Sequence, residues 1–142
     1  MRVYEIMSPS VKTIATTALA DDAWEVMRGE RIHHLVVMDG KRVAGVFSAR
    51  DAGGAKGAKI REGRRVDELM SEHVVTADKK TTLKRVANLM RGHTIGSVVI
   101  VDKGKPVGII TTSDLLELLG RGAIRPTPAS KRAPLNYRAP HT

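Results

Sequence analysis

Two short segments of this chain contain residue types that bind phosphate and sugar hydroxyls. Residues 45–51 read Gly-Val-Phe-Ser-Ala-Arg-Asp, and residues 108–114 read Gly-Ile-Ile-Thr-Thr-Ser-Asp. A hydroxyl residue that opens a helix lies beside free backbone N–H groups, and together they suit a phosphate. An aspartate one turn later can accept hydrogen bonds from two vicinal ribose hydroxyls. The pattern predicts nucleotide-binding residues at Ser48, Asp51, Thr111 and Asp114.

A simpler interpretation of these four residues stays open. Ser48 and Thr111 would then be ordinary helix N-caps, whose side chains accept a backbone N–H in the first turn. Asp51 and Asp114 would only interact favourably with the helix dipole. One copy alone supports the two interpretations equally, and two copies within a family resemblance favour the nucleotide interpretation.

The two motifs belong to a tandem repeat with an offset of 63 residues and no gap. The residues identical in both copies are Val3, Glu5, Met7, Ser8, Val11, Thr13, Met27, Arg28, Gly29, Ile32, Val36, Asp39, Gly45 and Asp51, each with its counterpart 63 positions later. A unit of this length is too large for a solenoid repeat and small for an independent domain. The sequence therefore predicts two halves packed as one pseudo-symmetric body with two related clefts.

Each repeat predicts the same order of elements. A short helical turn leads into a brief strand at residues 11–13 or 74–76. An amphipathic helix comes next, because apolar residues recur with i, i+3, i+4, i+7 spacing. These apolar positions are Ala20, Ala23, Trp24 and Met27, matched by Leu83, Val86, Ala87 and Met90. Gly29 and Gly92 come two residues later and are expected to take the left-handed conformation that ends many helices.

Two β-branched runs then form an antiparallel hairpin in each repeat. The runs cover residues 35–38 and 43–47 in the first half and residues 98–101 and 107–110 in the second, and Gly-containing turns join them. A last helix is expected to start after Thr111 and to stop at Gly120. In the first half the corresponding helix is expected to be short or distorted, because Gly53 and Gly54 interrupt it.

These motifs resemble the cystathionine-β-synthase (CBS) domain. The shared order is Met-Ser, Val-x-Thr, a helix, an Ile-x-x-Leu/Val-Val strand that reaches Asp, and Gly-x-x-Ser/Thr-x-x-Asp. It occurs twice, over about Val3 to Leu119, so the chain is similar to a tandem CBS pair, or Bateman module. The resemblance implies an α+β fold of two β-α-β-β-α repeats packed as one pseudo-two-fold module.

The resemblance also implies a ligand and further site residues. CBS pairs hold adenosine-containing ligands such as AMP, ADP, ATP or S-adenosylmethionine between their repeats, and often form disc-shaped homodimers. By the same comparison, Thr13 would line the Thr111/Asp114 cleft and Thr76 the Ser48/Asp51 cleft, although β-propensity alone would also explain a threonine there. His33 and His34 match a position where the family often places basic residues against phosphate.

The two histidines predict that the clefts differ. Neighbouring residues on a strand point to opposite faces, so at most one histidine should face a cleft. The second repeat has Gly96 and Ser97 at these positions, which carry no charge. The Ser48/Asp51 cleft is therefore expected to be the better phosphate site.

Composition excludes several classes of protein. The chain of 142 residues has no cysteine, which excludes disulfides, thiolate metal sites and cysteine nucleophiles. Its five histidines show no metal-ligand spacing, and no nucleophile has an evident base, so neither a metal site nor an enzyme is expected. No apolar run approaches the length of about 18 residues that a membrane span needs, and no signal core is visible. These features predict a cytoplasmic protein without a required cofactor.

The net charge of +9 is concentrated outside the repeats. The sequence is divided into repeat 1 at residues 1–52, a basic Gly-rich connector at 53–65, repeat 2 at 66–120 and a basic Pro-containing tail at 121–142. The connector and tail are expected to be largely flexible. Their charge permits weak, non-specific contact with nucleic acid, although the scarcity of aromatic residues argues against a base-stacking surface.

The resulting prediction is a stand-alone regulatory module that binds an adenosine-containing ligand and acts on an unknown protein target, with a homodimer as its assembly. The alternative is a basic nucleic-acid-binding or protein-interaction module with vestigial clefts. A purely structural oligomerisation module is compatible with everything except the two intact Ser/Thr-x-x-Asp motifs.

Overall fold

A computed structural model describes residues 1–8 and 11–121. The first half contains a 3-10 turn (Val3–Glu5), β1 (Thr13–Ala15), α1 (Ala20–Glu30), β2 (His34–Asp39), β3 (Arg42–Ser48) and α2 (Ala58–Arg61). The second half contains α3 (Val66–Leu69), β4 (Thr76–Asp78), α4 (Leu83–His93), β5 (Ser97–Asp102), β6 (Lys105–Thr111) and α5 (Thr112–Arg121). The two halves repeat the same order up to the last strand, which confirms the predicted α+β architecture.

Each half forms one three-stranded sheet with the same topology. The orders are β1-β2-β3 and β4-β5-β6, in which the first strand is parallel to the second and the third is antiparallel. The strands β1 and β4 begin two residues later than expected. Val11 and Val74 precede them and pack between the repeats instead.

The helices α1 and α4 cover the outer faces of the two sheets, as their apolar spacing predicts. Buried Ala23 and Met27 of α1 pack on Leu35 and Phe47 of the first sheet. The N-terminus of α4 is capped by Thr82, whose side chain accepts the Arg85 N–H at 3.2 Å. One face of each helix is thus buried, and the opposite face is left to solvent.

The predicted helix ends at Gly29 and Gly92 are wrong. Both glycines lie inside their helices, and the left-handed residues are Arg31 (φ 57°) and Thr94 (φ 54°). The Ile32 N–H donates to the Met27 carbonyl at 2.9 Å and closes the helix. The turn at Arg31 places the Ile32 side chain against the core. The helix end is set by burial of this isoleucine rather than by glycine.

The first residues of each repeat pack on the opposite repeat. Buried Val3 and Ile6 join the core of the second sheet, and buried Val66 of α3 joins that of the first. Backbone bonds match in the two halves: Val3 N–H donates to Thr81 O, and Val66 N–H donates to Ala18 O, both at 2.8 Å. The repeats therefore exchange their N-terminal segments and are one folding unit.

The two sheets face each other through a small apolar layer. Its buried members are Val36, Val46, Val99 and Ile109, two from each repeat. A close backbone approach lies beside this layer, since a Cβ at Gly45 would lie 2.6 Å from both Met70 Sδ and Ser71 O. The glycine repeated at this position is thus required by packing.

The connector at residues 53–65 is more ordered than the sequence suggested. It contains α2, and Arg61 on that helix is only 4% exposed. The expected interruption by Gly53 and Gly54 is present, because both take left-handed φ values of 85° and 68° and no regular helix succeeds Ser48. In the second repeat α5 starts directly after Thr111 as predicted and reaches Arg121, where the described residues end. The predicted tail beyond it lies outside the described residues.

Candidate functional site

Both Ser/Thr-x-x-Asp motifs form the same reciprocal hydrogen-bonded turn. Ser48 N–H donates to Asp51 Oδ2 at 2.9 Å, and Asp51 N–H donates to Ser48 Oγ at 3.0 Å. The corresponding distances for Thr111 and Asp114 are 2.7 and 3.3 Å. The capping interpretation therefore describes the local geometry of both motifs. It does not preclude a ligand, because a carboxylate can accept about four hydrogen bonds.

The two turns lead into different local structures. Thr111 leads directly into α5, so the N–H groups of a ten-residue helix lie beside its side chain. Ser48 leads into consecutive turns rather than a helix. The expected helix N-terminus is therefore present at Thr111 and absent at Ser48, because Gly53 and Gly54 divert the chain.

The pleat of the sheets turns the motif residues toward the opposite repeat. Ser48 is two residues from Val46, and His34 is two residues from Val36, and both valines belong to the layer between the sheets. His34 and Ser48 are also direct partners in the β2–β3 register. In the second repeat Ser97 and Thr111 occupy the equivalent paired positions. One end of the inter-repeat face thus brings together the polar residues of both halves.

His34 is the electrostatic link between the two motifs. Partial burial lowers the pKa of its imidazole below the usual value, and nearby His33 lowers this pKa further. The carboxylates of Asp114 and Asp51 act in the opposite direction and raise the pKa of His34. Because both aspartates act on one ring, His34 lies within electrostatic reach of both predicted clefts. The repeat pattern assigned this histidine to the Ser48/Asp51 cleft and gave no signal of its proximity to Asp114.

The remaining predicted residues are more exposed. His33 precedes β2 and is exposed, and its carbonyl accepts the Ala49 N–H at 2.9 Å. Thr13 and Thr76 open β1 and β4, pair with Val36 and Val99, and are exposed to solvent. Their register with those valines puts them on the inter-repeat face. Their contact with a particular cleft stays a prediction.

A separate open cavity of about 660 Å³ contains none of the predicted site residues. Its lining residues are Thr16, Asp39, Ala44, Arg65, Asp67, Glu68, Met70 and Glu72. The hydrogen bond and charge of Asp67 raise the pKa of Arg65. The Arg65 N–H and the Arg64 side chain lower the pKa of Glu68. Four carboxylates with one internally paired guanidinium are unsuited to a phosphate, so the candidate site remains the inter-repeat face.

Metal-ligand clusters and membrane-spanning helices are both absent from residues 1–8 and 11–121. No group of three or more His, Asp or Glu side chains in these ranges is arranged to hold a metal ion. None of the helices there combines the length and hydropathy that crossing a bilayer requires.

Comparison with known proteins identifies the repeats. The sequence model of the CBS domain family matches residues 3–52 and again residues 66–121. A CBS domain-containing protein of Dictyostelium discoideum is 30% identical over 130 residues, which cover 82% of this chain and 90% of that protein. A homoserine O-acetyltransferase of Methanosphaera stadtmanae is also 30% identical, over 82% of this chain. This chain spans only 24% of that enzyme's length and 42% of a similar uncharacterized protein of Methanocaldococcus jannaschii.

Solved structures show the same fold. The CBS domain pair of protein MJ0100, in complex with 5′-methylthioadenosine and S-adenosyl-L-methionine, has a TM-score of 0.74 and 25% identity over 87% of this chain and 98% of that one. A protein of Pyrococcus horikoshii has a TM-score of 0.67 and 27% identity over 93% of each chain. The duplicated sequence, the paired sheets and these likenesses agree: this chain belongs to the CBS domain family and is a tandem CBS pair.

Proposed function

We propose that this chain is a regulatory module that binds an adenosine-containing ligand between its two CBS repeats. The observation that carries the proposal is that both hydrogen-bonded Ser/Thr-x-x-Asp turns follow strands of the inter-repeat face, with His34 paired to Ser48 and within electrostatic reach of both aspartates. Asp51 and Asp114 would each accept hydrogen bonds from the ribose hydroxyls of one ligand. The ligand class is supported by MJ0100, whose CBS pair holds two adenosine derivatives.

The ligand is proposed to be AMP, ADP, ATP, S-adenosylmethionine or 5′-methylthioadenosine. The positive end of the α5 dipole and the imidazole of His34 favour a ligand with phosphate. The ligands in MJ0100 lack phosphate, so recognition of adenosine and ribose would be the shared requirement. Thr13 and Thr76 are proposed to line the clefts formed with the opposite motif.

We further propose a cytoplasmic, non-enzymatic homodimer that passes ligand binding to a protein target. Leu116 and Leu119 of α5 are 68% and 75% exposed, and apolar side chains at i, i+3 spacing provide a surface that a second copy would cover. Regulation requires only that the ligand prefer one of two arrangements of the module.

The test is a thermal-shift screen of the full chain against AMP, ADP, ATP, NAD, S-adenosylmethionine and 5′-methylthioadenosine. A ligand at 100 times its Kd stabilises the fold by about 2.7 kcal/mol, which is several degrees for a domain of this size. We expect at least one adenosine compound to raise Tm, with guanosine monophosphate as the negative control. No shift with any adenosine compound at millimolar concentration would contradict the proposal.

Basic charge favours one competing function, non-specific nucleic-acid binding. Lys56 and Lys59 of the connector are exposed, and further basic residues lie in the tail. Such binding would rest on phosphate contacts alone and would weaken steeply with salt. We propose that it is weak and separate from the clefts.

A further inference from the structure

Arg61 is a buried cation in a short helix whose other residues are exposed. It lies in α2 of the connector and is 4% exposed, whereas its neighbours Lys59, Ile60 and Glu62 are exposed. A buried guanidinium is strongly unfavourable unless its N–H groups and charge are matched. Its contacts therefore indicate what the connector holds in place.

The hydrogen bonds and the ring contact of the Arg61 side chain lie in the first repeat and at the start of the connector. Nη1 donates to the carbonyl of Ala52 at 2.8 Å and to that of Gly54 at 2.7 Å. Nε donates to Asp21 Oδ1 of α1 at 3.1 Å, and the guanidinium lies 4.6 Å from the ring centroid of Trp24. The side chain thus joins α1 to the turn at residues 52–54.

That turn begins immediately after Asp51. Gly54 N–H donates back to Ala49 O at 3.0 Å, so the turn closes over the Ser48/Asp51 motif. The connector returns very close to it, because a Cβ at Gly57 would lie 2.5 Å from Ala52 O. The carbonyls of this turn point to Arg61 rather than along a helix.

In the second repeat a helix, rather than a buried arginine, holds the backbone after the aspartate. Asp114 lies in the first turn of α5, whose ten residues continue the chain without a break. A helix of this length holds its first turn through its own backbone hydrogen bonds. The first repeat lacks that helix, so the backbone that follows its aspartate depends on other contacts.

We infer that Arg61 is a positioning residue for the Ser48/Asp51 cleft and takes the place of the missing helix by holding the carbonyls of residues 52–54 against α1. This inference rests on the proposed function, since it concerns a ligand site in that cleft. Arg61 itself touches no ligand. It holds the backbone that follows Asp51, as helix α5 holds the backbone that follows Asp114.

The first arm of the test needs no ligand. Hydrogen exchange of the full chain is compared between the wild type, Arg61→Met and Lys59→Met, which removes an exposed cation of the same helix. We expect the amides of residues 49–54 to exchange at least tenfold faster in Arg61→Met, and those of residues 112–117 to be unchanged. Unchanged exchange at residues 49–54 would overturn the inference.

The second arm separates the clefts. AMP and 5′-methylthioadenosine are titrated into Arg61→Met in the Asp114→Asn background, where only the Ser48/Asp51 cleft remains, and in the Asp51→Asn background. We expect at least tenfold weaker binding in the first background and less than a twofold change in the second, with Lys59→Met neutral in both. Equal losses in both backgrounds would show a general structural role and would overturn the inference.

Two outcomes keep this inference distinct from the proposed function. If the wild type binds neither these two compounds nor any other adenosine compound of the thermal-shift screen, the proposed function fails and the cleft role of Arg61 fails with it. If binding is present and unaffected in the Asp114→Asn background, only the role of Arg61 fails. Should Arg61→Met not fold, Asp21→Ala removes one partner at a half-exposed position, and a smaller loss confined to the same cleft is expected.

Discussion

Asp51 and Asp114 each have two roles at the scale of single residues. Each carboxylate accepts the backbone N–H of the hydroxyl residue three positions before it, and each is proposed to accept ribose hydroxyls as well. The sequence suggested these roles as alternatives, but the hydrogen-bonded turn fixes the carboxylate and so prepares it for a ligand. Substitutions that keep one role and remove the other can separate them.

Asp51→Asn should keep the turn and lose the ligand, because an amide oxygen still accepts the Ser48 N–H but the charge is gone. Loss of hydrogen bonds to a charged acceptor costs about 1.5–3 kcal/mol, or roughly 10- to 150-fold in affinity. Calorimetry with AMP should show one cleft lost and Tm within about 2 °C of the wild type. Asp51→Ala is the comparison and should lower Tm further, because it also leaves Ser48 N–H without its acceptor. Full affinity at both clefts in Asp51→Asn would contradict the role.

His34 should make ligand binding depend on pH. Burial lowers its pKa, so the ring is largely neutral at pH 7.5, and a bound phosphate would favour its protonation. AMP affinity should therefore rise from pH 7.5 to 5.5, whereas affinity for 5′-methylthioadenosine, which has no phosphate, should not. His34→Asn should remove the difference between the two ligands. If AMP affinity still rises between pH 7.5 and 5.5 in His34→Asn, another group causes the pH dependence.

The same lowered pKa affects the stability of the free protein with the opposite sign. The folded state binds the His34 proton less readily than the unfolded chain does. The free energy of unfolding is therefore unaffected by protonation of His34 above about pH 6.5 and decreases as the pH falls below that value. Free-protein Tm should thus fall on acidification even though phosphate binding tightens. Urea unfolding at pH 7.5 and 5.5 should show a smaller decrease for His34→Asn than for the wild type.

At the scale of elements, order and type were predictable and several boundaries were not. The two hairpins, α1, α4 and α5 can be derived from periodicity and turn residues. The glycine pattern predicts that α1 ends at a left-handed Gly29, whereas packing of Ile32 on the core places the left-handed residue at Arg31. The shared position of His34 could not be predicted from either repeat alone, because it depends on how the two sheets face each other.

The repeated glycine of β3 offers a test of the exchanged segments. A Cβ at Gly45 would lie 2.6 Å from the Ser71 carbonyl, so Gly45→Ala should force the crossing segment away and destabilise the fold by about 1–3 kcal/mol. Gly29→Ala is the matched control. It lies within α1 with nothing within 4 Å of its Cβ, and should stabilise by about 0.5–1 kcal/mol. Denaturant unfolding of both variants measures the contrast, and equal effects would mean that the close crossing is not rigid.

For the whole molecule, the chain behaves as one unit because each repeat completes the core of the other. A single repeat would expose the pocket that the partner's Val3 or Val66 fills. Much of the net positive charge lies in the connector and the tail. Ligand binding and electrostatic attraction to polyanions are thus predicted to be separable properties.

Deleting residues 122–142 should weaken binding to polyanions without affecting binding of adenosine ligands. Adenosine-ligand affinity should stay within about twofold, because all proposed site residues precede this segment. Affinity for duplex DNA should fall, and in the full chain the logarithm of that affinity should decrease with the logarithm of salt concentration by about 0.9 per neutralised phosphate. DNA binding that is sequence-selective and survives roughly 200 mM salt would instead favour the nucleic-acid function.

Equilibrium binding of adenosine ligands to the double variant Asp51→Asn/Asp114→Asn tests whether these two carboxylates form the ligand site. We predict that the wild type binds at least one of AMP, ATP, S-adenosylmethionine and 5′-methylthioadenosine, and that the double variant, folded with a Tm close to that of the wild type, loses that binding at both clefts. Undiminished affinity in the folded double variant would contradict a ligand site built on these two carboxylates.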